Sequence, residues 1–276
     1  MKVDLSKEFP STYDRAFKQH IEKLSEVRTV AQIMSKDPLT INEGATMAQA
    51  AKIMGENRIG SLIVTRAGKI WGIVTERDLL SSVLAENKEP KKVKVRDAMS
   101  TPLITIEPEA TIKEAAKKMI DLKGKLVVFK GKKLVGIVTA SDLIKSLPEQ
   151  PETKLKVDDF MTKRIVSVDE EDTIITVSRI MGTKRIGSVL VHREGRHYGI
   201  FTERDLLTSF LAKEGNMNAC VYGSVSSPLI TIPCGTTIHQ AAYIMTKEHI
   251  RRLPVMKDDE IAGIITARDL VEAYAK

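Results

Sequence analysis

One seven-residue pattern recurs four times along the chain. Gly72 to Asp78 read Gly-Ile-Val-Thr-Glu-Arg-Asp, and variants begin at Gly136, Gly199 and Gly263. Successive copies start 64, 63 and 64 residues apart. A fixed period of this length is the signature of a repeat architecture. The 276 residues are therefore expected to fold as four similar units.

The same order of elements surrounds every copy. Met47, Ala50, Ala51 and Met54 form the apolar stripe of an amphipathic helix, and matching stripes begin later in the chain. Two short strands follow, and a second helix starts at the motif. The matching stripes begin at Ile112, Ile174 and Ile238, behind the N-cap candidates Thr46, Thr111, Thr173 and Thr237.

A leading strand is predicted before each first helix, which gives the order β-α-β-β-α four times. The predicted leading strands are Pro38–Ile41, Pro102–Ile106, Arg164–Val168 and Pro228–Ile232. One unit of about 60 residues buries too little surface to be stable alone, so the units should pair. Units one and three share Arg-Ile-Gly-Ser and Thr-Glu-Arg-Asp-Leu-Leu, whereas units two and four share Pro-Leu-Ile-Thr-Ile. This alternation indicates that an older two-unit module was duplicated.

Composition limits the classes of function. The net charge of +7 and a pI near 9.2 favour an anionic partner. One Trp, five Tyr and six Phe leave few rings for base stacking, so nucleic acid is not the expected partner. No apolar run approaches the ~18 residues of a membrane span, and no secretory signal is visible. With two cysteines, a disulfide framework is excluded, and we expect a cytoplasmic protein.

The motif has chemistry of its own. Its Thr at the end of a strand is a helix N-cap, and the Asp three residues later completes a capping-box-like pair. First-turn amides and the helix dipole favour an anion such as phosphate. A carboxylate can accept hydrogen bonds from two vicinal hydroxyls, as in ribose. A plain capping box is the alternative, although capping boxes prefer Glu or Gln and all four copies carry Asp.

Other constellations do not suggest chemistry. Cys220, Cys234 and His239 match no zinc spacing, and His192 and His197 flank a hairpin turn. We find no nucleophile with its base, Walker loop or Rossmann glycines. About 28 residues remain outside the repeats, too few for a catalytic domain. We therefore expect no enzyme, no catalytic cofactor and no metal.

The repeated unit, ending in Gly-aliphatic-aliphatic-Thr-x-x-Asp, resembles the CBS domain, named after cystathionine beta-synthase. Four in one chain look like the gamma subunit of AMP-activated protein kinase and archaeal four-CBS proteins. The resemblance implies an α/β fold of four tandem CBS repeats that form two Bateman modules in a disk-like, pseudo-symmetric arrangement. We expect an N-terminal helical extension over 1–28, with the apolar residues Tyr13, Phe17, Ile21 and Leu24. Module 1 is expected over 29–148, with repeats at 29–85 and 93–147, and module 2 over 155–276, with repeats at 155–212 and 220–276. A linker over 148–153 is expected between them.

The resemblance also implies which residues bind an adenosyl ligand. The motif aspartates would bind both ribose hydroxyls, and the motif threonines would reach ribose or phosphate. Leading-strand residues would flank the adenine. The motif aspartates are Asp78, Asp142, Asp205 and Asp269. The motif threonines are Thr75, Thr139, Thr202 and Thr266. The leading-strand residues are Thr40, Thr105, Ser167 and Thr231.

Phosphate binding is expected to differ between repeats. The run from Ile250 to Pro254 is similar to the Ile-His-Arg-Leu-Pro pattern of the kinase gamma subunit, with Arg in place of His, so Arg251 and Arg252 are the phosphate candidates. Unit two has Lys125 at the matching place, and the odd units have Gly-Ser. In the odd units, Arg77 and Arg204 within the motif could supply the charge instead.

The sequence thus predicts a regulatory protein that senses adenine nucleotides (AMP, ADP or ATP) and controls an unidentified partner protein. The alternatives are a CBS protein that binds S-adenosylmethionine or methylthioadenosine, a nucleic-acid-binding protein that uses its basic surface, and a scaffold without a ligand. A homodimer of disks is left open. No membrane partner is expected.

Overall fold

The computed structural model describes residues 28–147 and 154–276. The predicted N-terminal helix and the predicted linker lie outside the described residues. In the described ranges, each repeat follows the order strand, helix, strand, strand, helix. The α/β class and the four tandem repeats are therefore confirmed.

The first two repeats differ in their opening elements and in their second helices. Repeat 1 comprises α1 (Val30–Ile33), β1 (Ser35–Lys36), β2 (Thr40–Asn42), α2 (Met47–Glu56), β3 (Ser61–Arg66), β4 (Lys69–Thr75), α3 (Glu76–Leu79) and a π-helix (Leu80–Leu84). Repeat 2 comprises a 3₁₀-helix (Val95–Asp97), β5 (Thr105–Ile106), α4 (Ile112–Asp121), β6 (Leu126–Lys130), β7 (Lys133–Val138) and α5 (Ala140–Ser146).

The last two repeats follow the same plan. Repeat 3 comprises a 3₁₀-helix (Val157–Asp159), β8 (Ser167–Asp169), α6 (Ile174–Lys184), β9 (Ser188–Arg193), β10 (Arg196–Thr202), α7 (Glu203–Asp205) and a π-helix (Leu206–Leu211). Repeat 4 comprises a 3₁₀-helix (Val221–Ser224), β11 (Ile232–Pro233), α8 (Ile238–Lys247), β12 (Arg252–Lys257), β13 (Glu260–Thr266) and α9 (Ala267–Ala275).

Each repeat forms one small sheet. The leading strand is parallel to the middle strand, and the third strand is antiparallel to it. In repeat 1, Thr40 pairs with Ile63, and Ile63 pairs with Ile73. The sheet of repeat 2 gains β1 at its edge, where Ser35 pairs with Ile137.

The leading strands are shorter than predicted. None of the residues Pro38, Pro102, Arg164 and Pro228, at which the predicted strands began, lies in a strand. Three of these residues are prolines, which have no N–H for a sheet ladder. The chain therefore reaches the sheet later, and Thr231 lies just before β11 instead of within a strand.

The chain divides into two compact units. One contains Ile104–Ile165 and Ile230–Lys276 together with the described part of Met1–Pro38, and so includes the sheets and both main helices of repeats 2 and 4. The other contains Leu39–Leu103 and Val166–Leu229, and so includes the three-stranded sheets and the helices that flank them in repeats 1 and 3. The short opening elements of each repeat lie in the opposite unit. The expected domain boundaries and the pairing into Bateman modules stay predictions.

A single apolar core joins repeats 2 and 4. The predicted stripes of α4 and α8 are fully buried at Ala115, Ala116, Ala241 and Ala242. The small alanines allow close helix packing, and each repeat's last helix packs against the other's first helix.

Repeats 1 and 3 exchange residues between two cores. Leu207 of repeat 3 lies in the core of repeat 1, and Leu80 and Leu84 of repeat 1 lie in the core of repeat 3. These leucines belong to the two π-helices, in which Ala85 N–H donates to Leu80 O at 2.9 Å, five residues back along the chain. The second helix of an odd repeat is therefore not the regular α-helix that the sequence predicts.

Candidate functional site

The motif Thr and Asp form a capping box at the start of each second helix. In repeat 1, the N–H of Thr75 donates to Asp78 Oδ2 at 2.8 Å, and its hydroxyl donates to the same oxygen at 2.7 Å. The N–H of Asp78 donates back to Thr75 Oγ1 at 3.3 Å. The same box forms at Thr139–Asp142, Thr202–Asp205 and Thr266–Asp269, with hydroxyl-to-Oδ2 distances of 2.7, 2.7 and 2.8 Å.

Capping elsewhere in the chain uses longer side chains. Three of the first helices begin with a Thr whose partner three residues on is Gln49, Glu114 or Gln240. The fold therefore satisfies helix N-termini with Gln or Glu, as capping boxes usually do. Capping alone does not account for an aspartate in all four motifs.

A loop hydroxyl approaches the other carboxylate oxygen of the motif. Ser35 Oγ lies 3.5 Å from Asp142 Oδ1, and Ser226 Oγ lies 3.4 Å from Asp205 Oδ1. Both contacts are at the long limit of a hydrogen bond. In repeats 2 and 3 the Thr thus holds Oδ2 while Oδ1 faces a loop hydroxyl, and in repeat 2 Lys145 Nζ also lies 3.8 Å from Asp142 Oδ1.

The same loop position recurs in all four repeats. In each, a Ser or Thr pairs through its backbone with the strand residue two positions before the motif Thr. The pairs are Ser35–Ile137, Ser100–Ile73, Thr162–Ile264 and Ser226–Ile200. We did not predict these four hydroxyl residues from the sequence. A signal exists, since Met precedes three of them at Met34, Met99 and Met161.

The motif glycine allows this loop to lie on the strand. An ideal Cβ on Gly136 would be 2.6 Å from Met34 Sδ, and one on Gly72 would be 2.8 Å from Ser100 O. A side chain at either position would displace the loop. The first residue of the motif therefore serves the placement of the loop hydroxyl.

Burial changes the acidity of the last motif aspartate. Burial raises the pKa of Asp269, against the hydrogen bonds from Thr266 that lower it. Glu272 raises that pKa further, and Arg268 lowers it. Ionisation of Asp269 is therefore harder than for an exposed aspartate.

The predicted phosphate residues lie beside the motif. Arg252 pairs directly with Thr266 across the sheet, as Ser61 pairs with Thr75 in repeat 1. Arg251 O accepts from the N–H of Ala267, the first residue of α9, at 2.9 Å. Lys125 lies one residue before β6, at the equivalent place in repeat 2.

The remaining predicted residues are farther from the motif. Thr40 and its equivalents Thr105, Ser167 and Thr231 lie on or before the leading strand, and the middle strand separates them from the motif strand. Two strand spacings amount to about 10 Å. Arg77 and Arg204 lie in the first turn of the motif helices with exposed side chains.

A buried glutamate adjoins the motif in repeats 1 and 3. Glu76 is 7% exposed and Glu203 is 4% exposed, although a charged residue at a helix start is expected in water. An ideal Cβ on Gly60 would lie 2.9 Å from the Glu76 carboxyl carbon and from both of its oxygens. The Glu76 carboxylate therefore covers Gly60. Neither glutamate was predicted from the sequence as a site residue.

The comparisons with known proteins agree with this architecture. The CBS domain model matches residues 30–85, 95–149, 157–212 and 222–276. These stretches make up most of the sequence, and the chain belongs to the CBS domain family. The predicted resemblance is confirmed, with four CBS repeats.

Two archaeal relatives match most of the chain. It is 28% identical to protein MJ1404 of Methanocaldococcus jannaschii over 266 residues, which are 89% of this chain and 62% of MJ1404. It is 26% identical to MJ1225 of the same organism over 283 residues, which are 90% of this chain and 99% of MJ1225. The chain thus spans less than two thirds of MJ1404 and nearly all of MJ1225.

Solved structures share the fold. The crystal structure of MJ1225, described as a candidate archaeal homologue of g-AMPK, has a TM-score of 0.73 at 24% identity and covers 90% of this chain and 100% of that one. A conserved protein from Pyrococcus horikoshii has a TM-score of 0.62 at 22% identity, with the same coverage. At these identities the likeness establishes the fold. Over residues 28–147 and 154–276, no helix has the length and apolar character required to cross a membrane.

Proposed function

We propose that the chain is a regulatory protein that binds adenine nucleotides, AMP, ADP or ATP, and has no catalytic activity of its own. The main support for the proposal is the motif carboxylate, which the motif Thr holds in place. In all four repeats Thr holds Oδ2, and in repeats 2 and 3 a serine hydroxyl approaches Oδ1 at the long distances of 3.5 and 3.4 Å. A ribose hydroxyl at a normal distance would replace that contact with a stronger, charge-assisted hydrogen bond.

The phosphate end of the ligand is supported by repeat 4. Arg252 lies across the strand from Thr266, and Arg251 is bonded through its carbonyl to the first residue of α9. Guanidinium groups bind phosphate oxygens in a bidentate manner. Their position beside the motif supports both arginines as the phosphate-binding residues of repeat 4.

Membership of the CBS domain family supports control of a partner protein. CBS repeats make up most of the chain, and the description of MJ1225 as a candidate homologue of g-AMPK supports a role in regulating another protein. Such regulation requires that the ligand bind two states of the protein with different affinities. We expect a cytoplasmic protein that acts in this way.

A second candidate ligand is S-adenosylmethionine or methylthioadenosine. The buried Glu76 and Glu203 favour it in repeats 1 and 3, because a carboxylate repels phosphate and attracts a cation. Neither ligand has a phosphate, so neither would use the guanidinium groups of Arg251 and Arg252 beside the motif. Repeat 4 therefore favours nucleotides.

Isothermal titration calorimetry of the nucleotide-stripped chain tests the proposal. AMP, ADP, ATP and S-adenosylmethionine are titrated at two salt concentrations. Micromolar affinity corresponds to a binding free energy of about −8 kcal/mol, and at that affinity the shape of the titration curve gives the stoichiometry. Adenine nucleotides are expected to bind at one to four per chain. No heat with any of the four ligands would refute the proposal, and strongly salt-dependent binding of nucleic acid would favour that alternative.

A further inference from the structure

The repeats place side chains of opposite charge at one position of the fold. In repeats 1, 3 and 4 the first residue of the motif helix donates its N–H to the carbonyl oxygen of the residue just before the middle strand, so the two positions are neighbours there. The donor–acceptor pairs are Glu76–Gly60 at 3.3 Å, Glu203–Gly187 at 3.1 Å and Ala267–Arg251 at 2.9 Å.

In repeats 1 and 3 the helix residue carries the side chain and the strand residue is glycine. The Glu76 carboxylate lies against Gly60, where an ideal Cβ would be 2.9 Å from all three carboxyl atoms. Glu203 is also buried beside Gly187, at 4% exposure. In repeats 1 and 3 the glutamate–glycine pair therefore puts a carboxylate beside the motif.

In repeat 4 the arrangement is reversed. The helix residue Ala267 has no charged group, and the strand residue is Arg251. The next strand residue is also a cation in repeat 4 and uncharged in repeat 1. Arg252 pairs with Thr266 across the sheet, whereas Ser61 pairs with Thr75. The pair therefore presents cations beside the motif.

The net charge around the motif follows from these exchanges. Over the five positions matching 60, 61, 76, 77 and 78, repeats 1 and 3 each have two carboxylates and one arginine. Repeat 4 has three arginines and one carboxylate at the same positions, and repeat 2 has one lysine and one carboxylate. The carboxylates of repeats 1 and 3 repel a phosphate dianion, and they accept hydrogen bonds from hydroxyl or ammonium groups.

We propose that repeats 1 and 3 select nucleosides without phosphate, either uncharged or cationic, whereas repeat 4 selects nucleotides with phosphate. Glu76 and Glu203 are the specificity-determining residues that exclude phosphate from the odd repeats. This proposal rests on the proposed function, because it assigns ligand classes to the sites of an adenosyl-binding protein.

The test compares adenosine, S-adenosylmethionine, AMP and ATP by calorimetry on the full chain. Asp142→Ala with Asp269→Ala blocks the even repeats, so the heat that remains reports repeats 1 and 3. In this background we expect AMP to bind at least about tenfold more weakly than adenosine or S-adenosylmethionine. Comparing the two non-phosphorylated ligands tells whether the odd repeats prefer the uncharged or the cationic nucleoside.

Glu76→Gln with Glu203→Gln then removes the charge and keeps the shape. We expect the affinity of the odd repeats for AMP to rise about tenfold and their affinity for adenosine to stay within about twofold. Glu171→Gln, at an exposed glutamate of repeat 3, is the matched control and should change neither. If the blocked background does not fold, the glutamine pair in the otherwise unchanged chain should raise the number of AMP molecules bound.

The outcomes separate the two proposals. AMP binding at least as tightly as adenosine in the odd repeats, or an unchanged AMP-to-adenosine ratio in the glutamine variant, overturns the specificity assignment. Nucleotide binding in repeat 4 with no ligand in the odd repeats also overturns it and leaves the proposed function standing. If the unchanged chain binds none of the four ligands, the proposed function falls, and this inference falls with it.

Discussion

Gly182 of α6 lies against the carbonyl oxygen of Leu80, where an ideal Cβ would be only 2.5 Å from that oxygen and 2.7 Å from the Ala85 Cβ. Leu80 starts the π-helix of repeat 1, so the wide turn of one repeat packs on the glycine of the other. The reverse contact also exists. Gly55 in α2 of repeat 1 lies against the π-helix of repeat 3, where an ideal Cβ would be 2.9 Å from Leu207 O. Close approach of backbone to backbone therefore holds repeats 1 and 3 together.

Gly182→Ala should destabilise this unit by about 1–3 kcal/mol, because a backbone carbonyl cannot move away as a flexible side chain would. Urea unfolding measures the change in the free energy of unfolding. Gly223→Ala is the control, since a Cβ there meets nothing within 4 Å. Equal stability of the two variants would contradict the packing described.

Gly60→Ala should also destabilise the chain, by about 1 kcal/mol and so by less than Gly182→Ala, because the new methyl group meets the end of the Glu76 side chain, which can shift. Because that contact involves one side chain, Glu76→Ala should remove most of the penalty in the double variant. A double-mutant cycle measured by thermal unfolding gives the coupling. Additive effects would show that the glutamate does not cover Gly60.

Asp269 should titrate above its ordinary pKa of 3.8, because burial disfavours the charged carboxylate. The raised pKa also links the stability of the fold to pH. The contribution of a carboxyl with a raised folded-state pKa is fully present below the unfolded pKa and is lost as the pH rises through the folded pKa. Carbon-13 NMR of the carboxyl groups measures the titration, and Asp269→Asn identifies the signal. A pKa at or below 3.8 would contradict the burial.

Cys234 should react slowly with thiol reagents at pH 8. Burial raises its pKa to about 11 from 9.0, and the hydrogen bond to Asp158 acts in the same direction. Because the thiolate is the nucleophile, alkylation in a Cys220→Ser background should be about a hundredfold slower than in the same chain unfolded in urea. Asp158→Ala should recover part of the rate. A folded rate equal to the unfolded one would contradict the assignment.

The repeats and the capping boxes were predictable because both depend on residues close in sequence. Thr75 and Asp78 are three positions apart, and the period of the motif is visible without any structure. The apolar stripes of the first helices are local for the same reason, and Met47, Ala50, Ala51 and Met54 are all buried.

The missed features depend on contacts distant in sequence. Ser35 reaches Asp142 across 107 positions, through a backbone pairing that no local pattern encodes. The π-helix at Leu80 packs on Gly182, which lies in another repeat. Glu76 was missed for a different reason, since sequence reasoning assigns a glutamate to the surface, whereas the glycine opposite makes room for it.

The proposed binding mode has the motif aspartates hold a ribose through both hydroxyls. Its most direct test is calorimetry of ADP against 2′,3′-dideoxy-ADP, on the unchanged chain and on a variant with Ala at Asp78, Asp142, Asp205 and Asp269. Two charge-assisted hydrogen bonds are involved, so ADP should bind at least about tenfold more tightly than the dideoxy analogue, and the variant should lose that preference. Equal affinity of the unchanged chain for both nucleotides would contradict the account.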